Sequence, residues 1–420
     1  MMASDTPAGT RGRLFFLNVG HAFDHWFILI VATAVIAMEG HFGLSYAELM
    51  ALSTPGFLAF GVGSIPAGWL GDRWSREGMI LVFFLGMGLA CALAGLARTP
   101  LEFLAALTLL GVFGAIYHPV GIAMVVEEGP PEALGRRLGV NGVWGNMGVA
   151  GAALVTGILV DVAGWRSAFL LPGVLAVATG LGYHLFLRRF GRAPRKKSRA
   201  GVPKEEMRPG WRRVLAVLAV ATIMFSLQFN AVTVALPRVL EERLAGLVAS
   251  TAAVGAIAAA VYAVAAFVQI AMGVALDRLA VRPLLMWVAA GQAAALVLAA
   301  FSQGWLMVAS GTAVMILVFA QVPIGATLVA RYTPAHIRGR IYGIQFLVVF
   351  GVGGLAVPMI ALLHGTGGFL SIFLTLAVLA TFTCMAGAAL PRGGGTLPPG
   401  RAKRGGAADP AVVPLGEGAG

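Results

Sequence analysis

The chain carries little charge and almost no cysteine. Asp, Glu, Lys and Arg make up 11% of its 420 residues, whereas a soluble globular chain carries about 25%. Its two cysteines, Cys91 and Cys384, both lie inside apolar runs, and this excludes a disulfide framework. A chain so poor in charged residues cannot hydrate the surface of a large soluble domain, so that class of protein is excluded as well.

The sequence is rich in long runs of hydrophobic residues. Hydrophobic residues make up 59% of the chain, and the mean hydropathy is +0.87. They fall into twelve runs of roughly 20 residues, the length that a helix needs to cross a bilayer. We therefore expect an all-α integral membrane protein with twelve transmembrane helices. The first run is too long for the apolar core of a signal peptide and lacks a small-residue cleavage site, so no cleavable signal is expected.

The basic residues predict how the helices are oriented. If both termini are placed in the cytoplasm, every Lys and Arg falls on the cytoplasmic side except Arg98, Arg166, Arg238 and Arg243. This is the bias of the positive-inside rule. The net charge of +12 then reflects topology and contact with anionic lipid headgroups, and we expect no nucleic-acid partner. The predicted location is the cytoplasmic (inner) membrane of a bacterium.

The sequence also repeats itself. The segment around Pro119 matches the segment around Pro323, an offset of 204 residues, and the same offset pairs Asn141 with Gln345. Half-length repeats in apolar chains are typical of transporters built from two related helical bundles. We therefore expect two pseudo-symmetric six-helix bundles. The predicted segments are a cytoplasmic tail (1–12), a first bundle (13–187), a basic cytoplasmic linker (188–212), a second bundle (213–390) and a disordered tail (391–420).

The loop after the second apolar run carries a known signature. Residues 68–76 read Gly-Trp-Leu-Gly-Asp-Arg-Trp-Ser-Arg, and a shorter copy at 273–278 reads Gly-Val-Ala-Leu-Asp-Arg. This pair of loops resembles the signature of the major facilitator superfamily, and the resemblance covers residues 13–390. In that family the loop latches the cytoplasmic side of the molecule. The resemblance thus implies a cytoplasmic gate formed by Gly68, Asp72, Arg73, Arg76, Glu127, Asp277 and Arg278; Glu128 is a further candidate acid at the end of span four.

Three further segments resemble the fosmidomycin-resistance branch of that family, a group of proton-driven exporters. They are Gly-His-Ala-Phe-Asp-His at 20–25, Tyr-His-Pro at 117–119 and Gly-Asn-Met-Gly at 145–148. That branch usually has an acidic residue shortly after the His-Pro pair, where this chain has Val120 and Gly121. In the superfamily, spans one, four, seven and ten line a central cavity. The resemblance and depth in the membrane together predict cavity-lining positions at Tyr117, His118, Asn146, Gln228, Asn230 and Gln321.

Ionisable residues within the membrane are the strongest indication of chemistry, because burying them in lipid is unfavourable. His21, Asp24 and His25 stand at helical spacing in span one, and Asp24 is about 16 Å deep at 1.5 Å per residue. A carboxylate removed from water takes up a proton more readily, and an imidazole titrates near neutral pH. We therefore predict that Asp24 carries the coupling proton with His21 or His25 as its partner. The alternative is a structural hydrogen bond that ties span one to span five.

The repeat indicates a division of labour between the halves. Under the 204-residue offset, His21, Asp24 and His118 correspond to Phe225, Gln228 and Val322. The first half would hold the proton site, and the second half would supply an apolar wall and neutral hydrogen bonds. His118 could bind substrate, or it could bond the backbone carbonyl that Pro119 leaves without its usual partner.

The sequence favours a secondary active transporter that moves a small solute by alternating access, with proton-coupled efflux as the leading direction. Proton-coupled uptake of a metabolite or anion is the nearest alternative, followed by a membrane receptor or scaffold that does not transport. The spacing of His21, Asp24 and His25 would allow an intramembrane metal enzyme, but no hydrolase motif accompanies it. We therefore expect no enzyme activity, no cofactor and no metal. The partners expected are the solute, protons and lipid, with the chain acting as a monomer.

Overall fold

The computed structural model describes residues 6–128, 134–191, 207, 209–334, 341, 344–345, 347–349 and 351–391. Within these ranges the regular structure is helical. The helices are α1 (Pro7–Phe42), α2 (Tyr46–Arg73), α3 (Arg76–Leu96), α4 (Pro100–Gly114), α5 (Ile122–Glu127), α6 (Leu134–Ala163), α7 (Ser167–Phe190), α8 (Trp211–Arg243), α9 (Thr251–Arg278), α10 (Val281–Phe301), α11 (Gly304–Tyr332) and α12 (Ala356–Ala388). A π-helical turn, Tyr117–Gly121, joins α4 to α5.

Side-chain caps fix where several helices begin. The Thr6 hydroxyl accepts a hydrogen bond from the Gly9 N–H, and Pro7 occupies the first turn, a position that needs no amide donor. This is why α1 begins six residues before the predicted start at residue 13. Ser45 and Glu48 form a reciprocal capping box at the start of α2. Most of the predicted linker and all but one residue of the predicted C-terminal tail lie outside the described residues.

The helix bounds repeat along the chain as the sequence repeat predicts. Helices α2 and α9 each contain 28 residues and begin 205 residues apart, at Tyr46 and Thr251. Helices α3 and α10 each contain 21 residues with the same offset. The fourth segment breaks this correspondence. In the first half it is divided by the π turn, whereas its mate α11 runs unbroken through Pro323.

Eleven helical segments of the described residues are long and apolar enough to cross a membrane. The last of them contains a break, because Gly367 and Gly368 leave helical geometry inside α12. Gly368 has a φ of 61°, a left-handed conformation that glycine adopts without strain. The break therefore divides α12 into two helical pieces, Ala356–Thr366 and Phe369–Ala388.

The helices form two bundles, α1–α7 and α8–α12. In the first, α1 packs on α6, α3 on α7 and α2 on α4; in the second, α10 and α8 pack on α12 and α9 packs on α11. The bundles meet where α6 contacts α9, α2 contacts α12 and α1 contacts α8. We call the end at which α1 begins the proximal end, and the end at which α1 finishes the distal end.

Glycines bring the backbones of the two bundles together at the α6–α9 contact. A Cβ on Gly157 would lie 2.5 Å from the Thr251 carbonyl oxygen, and one on Gly255 would overlap the Ala153 carbonyl. Small residues are what allow two membrane helices to approach this closely. All four residues lie in the distal part of their helices, so the bundles touch most tightly near the distal end.

Candidate functional site

A carboxylate and an imidazole meet at the centre of the first bundle. Asp24 lies midway along α1 and is fully buried. Its Oδ2 atom is 3.0 Å from Nε2 of His118, which belongs to the π turn. The residue in contact with Asp24 is thus a histidine of span four, whereas the sequence predicted His21 or His25 of its own helix as the proton-coupling partner. That coupling stays a prediction. This contact ties span one to span four. The alternative from the sequence, a structural hydrogen bond between spans one and five, is also present, since His21 Nδ1 lies 2.8 Å from the Asn141 carbonyl oxygen.

The π turn explains how His118 reaches Asp24. Pro119 has no N–H, so one backbone hydrogen bond of the helix is missing there. The chain forms a wider π turn at this point, and the side chains of the turn point in directions that a regular α-helix would not give them. A proline alone is not sufficient, since α11 carries Pro323 at the matching position without a break. In the first half, the π turn is accompanied by contacts with α1, which holds both Tyr117 and His118.

Tyr117 is a structural anchor in this conformation, and its predicted place in the wall of a solute cavity stays a prediction. Its ring is completely buried. The hydroxyl donates to the Leu17 carbonyl at 2.6 Å and accepts from Asn141 Nδ2 at 2.9 Å. Asn141 Nδ2 also donates to Asn18 Oδ1 at 3.0 Å. Both hydrogen-bonding functions of the phenol are used, so it locks α1, the π turn and α6 together.

Three imidazoles gather beside the Asp24 carboxylate. The ring centroids of His21 and His25 are 5.0 Å apart, and both rings lie within 5.4 Å of the His118 ring. His21 Nδ1 is 2.8 Å from the Asn141 carbonyl oxygen. A carbonyl can only accept, so this contact requires a proton on His21 Nδ1, and in the neutral ring Nε2 is then an acceptor. The cluster thus places one carboxylate and three imidazoles, all titratable groups, side by side.

The same three histidines are close enough to share a metal ion. Among the described residues, His21, His25 and His118 each offer a ring nitrogen, and these nitrogens lie within 4.8 Å of one another. Any assay of proton chemistry at this cluster therefore needs protein that has been freed of metal with a chelator.

The corresponding positions of the second bundle hold neutral groups. Gln228, the repeat mate of Asp24, is fully buried, and its side-chain amide has no hydrogen-bond partner among the described residues. Asn230 donates to the Ser226 carbonyl at 2.9 Å. Gln321 accepts from Gln292 at 3.0 Å, so its amide oxygen is already used inside the bundle. Of these residues, Gln228 has the greatest unused capacity to bind a polar group.

Helix α6 holds α1 in place through glycines. A Cβ on Gly145 would lie 2.7 Å from His21 Nε2, and one on Gly148 would overlap the Ala22 carbonyl oxygen. Asn146 lies between them and is half-buried. The two glycines of the Gly-Asn-Met-Gly segment thus let the backbone of α6 pack closely against His21 and Ala22 of α1.

At the proximal end, Arg76 binds two carboxylates. Its guanidinium is 2.7 Å from Asp72 and 2.6 Å from Glu127, so the loop after α2 is tied to the end of α5. Arg73 instead lies over the Trp69 ring, 4.6 Å from its centroid. Gly68 packs against Pro119, which follows His118 in the π turn. The loop is therefore in direct contact with the segment that carries the Asp24 partner.

The second copy of this loop is arranged differently. Arg278 is exposed at the end of α9, and the Asp277 side chain lies outside what the structure describes. Arg331, at the end of α11, donates to the Leu276 carbonyl at 2.5 Å. The predicted gate residues of the second half therefore have no described counterpart of the Arg76–Glu127 pair.

Two ionic contacts were missed by sequence reasoning. Arg13 and Glu128 form a buried ion pair near the proximal end, and its two residues are 115 positions apart. At the distal end Arg238 of α8 is 2.9 Å from Glu39 of α1 and binds Glu241 and Glu242 of its own helix. The spacing of Arg238 and the two glutamates along one helix was a usable signal, whereas nothing in the sequence pointed to Glu39.

The sequence profile of the Major Facilitator Superfamily matches residues 14–245 and 218–416. The chain is 31% identical over 206 residues to the tetracenomycin C resistance and export protein of Streptomyces glaucescens, which covers 47% of this chain and 38% of that protein. It is 30% identical over 178 residues to a probable L-galactonate transporter of Escherichia coli, covering 42% and 38% respectively. The alignments thus span less than half the length of these curated relatives.

Solved structures share the fold over almost the whole chain. A bacterial homologue of the human lysosomal transporter Spinster aligns with a TM-score of 0.73 at 16% identity, covering 90% of this chain and 95% of that one. A D-xylose–proton symporter aligns with a TM-score of 0.70 at 15% identity, covering 91% and 99%. The repeated helices, the duplicated loop and the profile that matches both halves lead to one conclusion: this multi-pass membrane protein belongs to the Major Facilitator Superfamily.

Proposed function

We propose that the protein is a secondary active transporter that moves a small solute by alternating access and couples its efflux to protons. The observation that carries this proposal is the Asp24–His118 pair, a titratable contact buried midway along a membrane-spanning helix. Ionisable groups at such depth are unfavourable unless they serve transport, proton movement or a tight structural pair. All of the residues come from one chain, so a monomer suffices to build the site.

The proposed orientation places the proximal end in the cytoplasm of a bacterial inner membrane. Arg13, Arg73 and Arg76 lie at that end, as the positive-inside rule would have it. The break at Gly367 and Gly368 supports a twelfth crossing, which would give two six-helix bundles with both termini in the cytoplasm. The basic linker and proximal arginines would then face anionic lipid headgroups.

In this proposal Asp24 is the proton carrier, with His118 as its direct partner and His21 and His25 as neighbouring acceptors. Proton uptake neutralises the carboxylate and makes the site easier to enclose away from water. Protonation would then bias which end of the transporter opens. His118, Asn146, Gln228 and Asn230 are proposed to meet the solute, with Gln228 best placed because its amide has no described partner.

The proximal gate is proposed to consist of Gly68, Asp72, Arg73, Arg76 and Glu127, with Asp277 and Arg278 as its weaker second half. Because Gly68 of this gate lies against Pro119, a movement of the gate would also move the neighbouring His118. The tight contacts between bundles lie towards the distal end. This supports a conformation in which the solute site opens toward the proximal, cytoplasmic end.

The proposal is tested by measuring proton release or uptake when candidate solutes are added to purified, chelator-treated protein. The names of the relatives suggest tetracenomycin C and L-galactonate as first solutes. We expect solute-triggered proton movement in the wild type and its loss in Asp24→Asn and His118→Ala. The matched control is Gln228→Leu at the same depth in the second bundle, which should weaken solute binding while leaving proton movement per bound solute unchanged.

Solute binding without proton movement in the wild type would overturn the coupling and favour a uniporter or a receptor. Direction is decided separately, in vesicles of known orientation with an imposed pH gradient. Proton-coupled uptake is the second candidate, and the likeness to a probable L-galactonate transporter favours it over a receptor or scaffold that moves no solute. Solute accumulation with the flow of protons, rather than against it, would establish uptake in place of efflux.

A further inference from the structure

Arg238 connects the two bundles at the distal end. Its guanidinium is 2.9 Å from Glu39, the acidic residue near the end of α1, and it lies over the Tyr46 ring of α2 at 5.5 Å. Both contacts cross from the second bundle to the first. The Arg238 side chain is 14% exposed, so this bridge is partly shielded from water and is screened less than a surface pair.

Arg238 also has two partners that move with it. Glu241 and Glu242 stand three and four residues later on α8, at 2.9 Å and 3.0 Å from the guanidinium. Residues at this spacing lie on one face of a helix. If the bundles separate at the distal end, Arg238 therefore remains neutralised by its own helix. Breaking the bridge to Glu39 leaves no buried charge unpaired, which is what a reversible contact requires.

Glu39 has no such reserve. Among the described residues, Arg238 is the cation that forms an ion pair with it. Its side chain is 31% exposed, and opening of the distal end would release it into water. The bridge is thus asymmetric. Arg238 keeps an ionic partner on its own helix whether the distal end is open or closed, whereas Glu39 is paired when the distal end is closed.

Two other links between the bundles reinforce the same closure, one from His364 to Tyr46 and one from Asp161 to the start of α9. The His364 ring of α12 packs edge-on against Tyr46 at 4.8 Å, and its Nε2 lies 3.5 Å from Glu242. Away from this network, the Asp161 carboxylate at the end of α6 accepts hydrogen bonds from Thr251 N at 3.1 Å and Ala252 N at 2.7 Å. A carboxylate at a helix N-terminus is favourably placed, so this second link also holds the bundles together.

We infer that the Arg238–Glu39 bridge is a distal lock that sets how often the distal entrance opens, with Glu241 and Glu242 holding Arg238 while the lock is released. The inference rests on the proposed alternating access. It concerns the conformational equilibrium and does not depend on the identity of the solute or on proton coupling.

The test uses spin-label distances in full-length protein reconstituted in lipid, with Cys91 and Cys384 replaced by serine. One label pair, at Leu101 and Leu247, reports the distal separation of the two bundles, and a second, at Trp74 and Leu279, reports the proximal separation. All four side chains are exposed. We expect Glu39→Gln to increase the ratio of distal-open to distal-closed molecules by about fivefold, within the range of conformational couplings.

The matched control is Glu241→Gln, which removes a partner of Arg238 on its own helix and leaves the bridge between the bundles. We expect it to leave the distal ratio unchanged or to lower it. Asp161→Asn should raise the distal-open fraction independently and additively with Glu39→Gln. Equal effects of Glu39→Gln and Glu241→Gln, or no change in either, would overturn the lock.

Failure of the lock and failure of the proposed function are distinguishable. A shift in distances without any solute flux would support the lock and count against transport. Flux with distances unmoved by Glu39→Gln would do the reverse. Both variants lie near the surface of the helix ends, and a thermal unfolding curve for each confirms that the protein compared is folded.

Discussion

The Asp24 carboxylate lies 3.0 Å from His118 Nε2, and this contact joins the middle of α1 to a π turn whose repeat mate is plain α-helix. The two halves of the molecule therefore differ at the point where a titratable group is buried. The π turn is the backbone change that allows the pair to form, and the pair in turn has the chemistry that the second half lacks.

Asp24 should give a proton signal that requires no knowledge of the solute. Infrared difference spectra recorded between acid and alkaline pH are expected to contain the carbonyl stretch of a buried protonated carboxyl, because Asp24 is completely enclosed. The band should disappear in Asp24→Asn and shift in His118→Gln. A band that persists in Asp24→Asn would assign the titration to another carboxyl and contradict the proposed carrier.

The α1–α6 contact should be intolerant of a single methyl group. Gly148→Ala is expected to lower stability by about 1–3 kcal/mol, the usual effect of overpacking, because its Cβ would overlap the Ala22 carbonyl. Gly151→Ala is the control, since its Cβ would meet nothing within 4 Å. Thermal unfolding in detergent measures both. Equal melting temperatures for the two variants would show that α1 and α6 can move apart at this level.

The buried Arg13–Glu128 pair should behave unlike the pair of Arg76 with the exposed Asp72. Glu128→Gln is expected to destabilise the protein by about 3–5 kcal/mol because it removes the carboxylate that pairs with the buried Arg13 guanidinium. Asp72→Asn should cost less than about 1 kcal/mol, since Asp72 is 60% exposed. Combining Arg13→Met with Glu128→Leu should recover much of the loss. A double variant as unstable as Glu128→Gln would mean that the pair contributes through packing rather than charge.

Tyr117 and Tyr262 provide a matched test of whether a buried tyrosine hydroxyl positions the proton site or only stabilises the fold. Each hydroxyl donates to a backbone carbonyl, of Leu17 at 2.6 Å and of Thr233 at 2.7 Å respectively. Removing either hydroxyl should cost about 1–2 kcal/mol. Tyr117→Phe alone is expected to alter the proton signal as well, because it frees Asn141 and with it the backbone that holds His21. Proton signals unchanged in both variants would restrict Tyr117 to a purely structural role.

The repeat and much of the helix pattern could be predicted from the sequence. Apolar runs, the duplicated loop and the positions of Pro119 and Pro323 indicated two related halves, and the offsets of α2, α3, α9 and α10 confirm the repeat. These features depend on local composition and on comparison within the chain, so a single sequence contains them. The apolar run alone predicts a start of α1 that is too late, because Thr6 caps the helix before that run begins.

The partner of Asp24 could not be predicted in the same way. Helical spacing predicts which way each side chain points only when every residue rotates the helix by the same angle. The π turn at Tyr117–Gly121 departs from that regular rotation. The Glu39–Arg238 bridge was out of reach for a different reason. It depends on how the two bundles are placed against each other, and no periodic pattern records that placement.

The glycines at the α6–α9 contact have a mechanical consequence. Where Gly157 and Gly255 meet the opposite helix, main chain rests on main chain, and no interlocked side chains must be withdrawn before one bundle turns against the other. In the proposed alternating access, we expect such a backbone contact to resist rotation of one bundle against the other less than interlocked side chains would. The proposed motion would then be controlled mainly by the polar contacts at the distal end, so that a few charged side chains set the balance between two bundles many times their size.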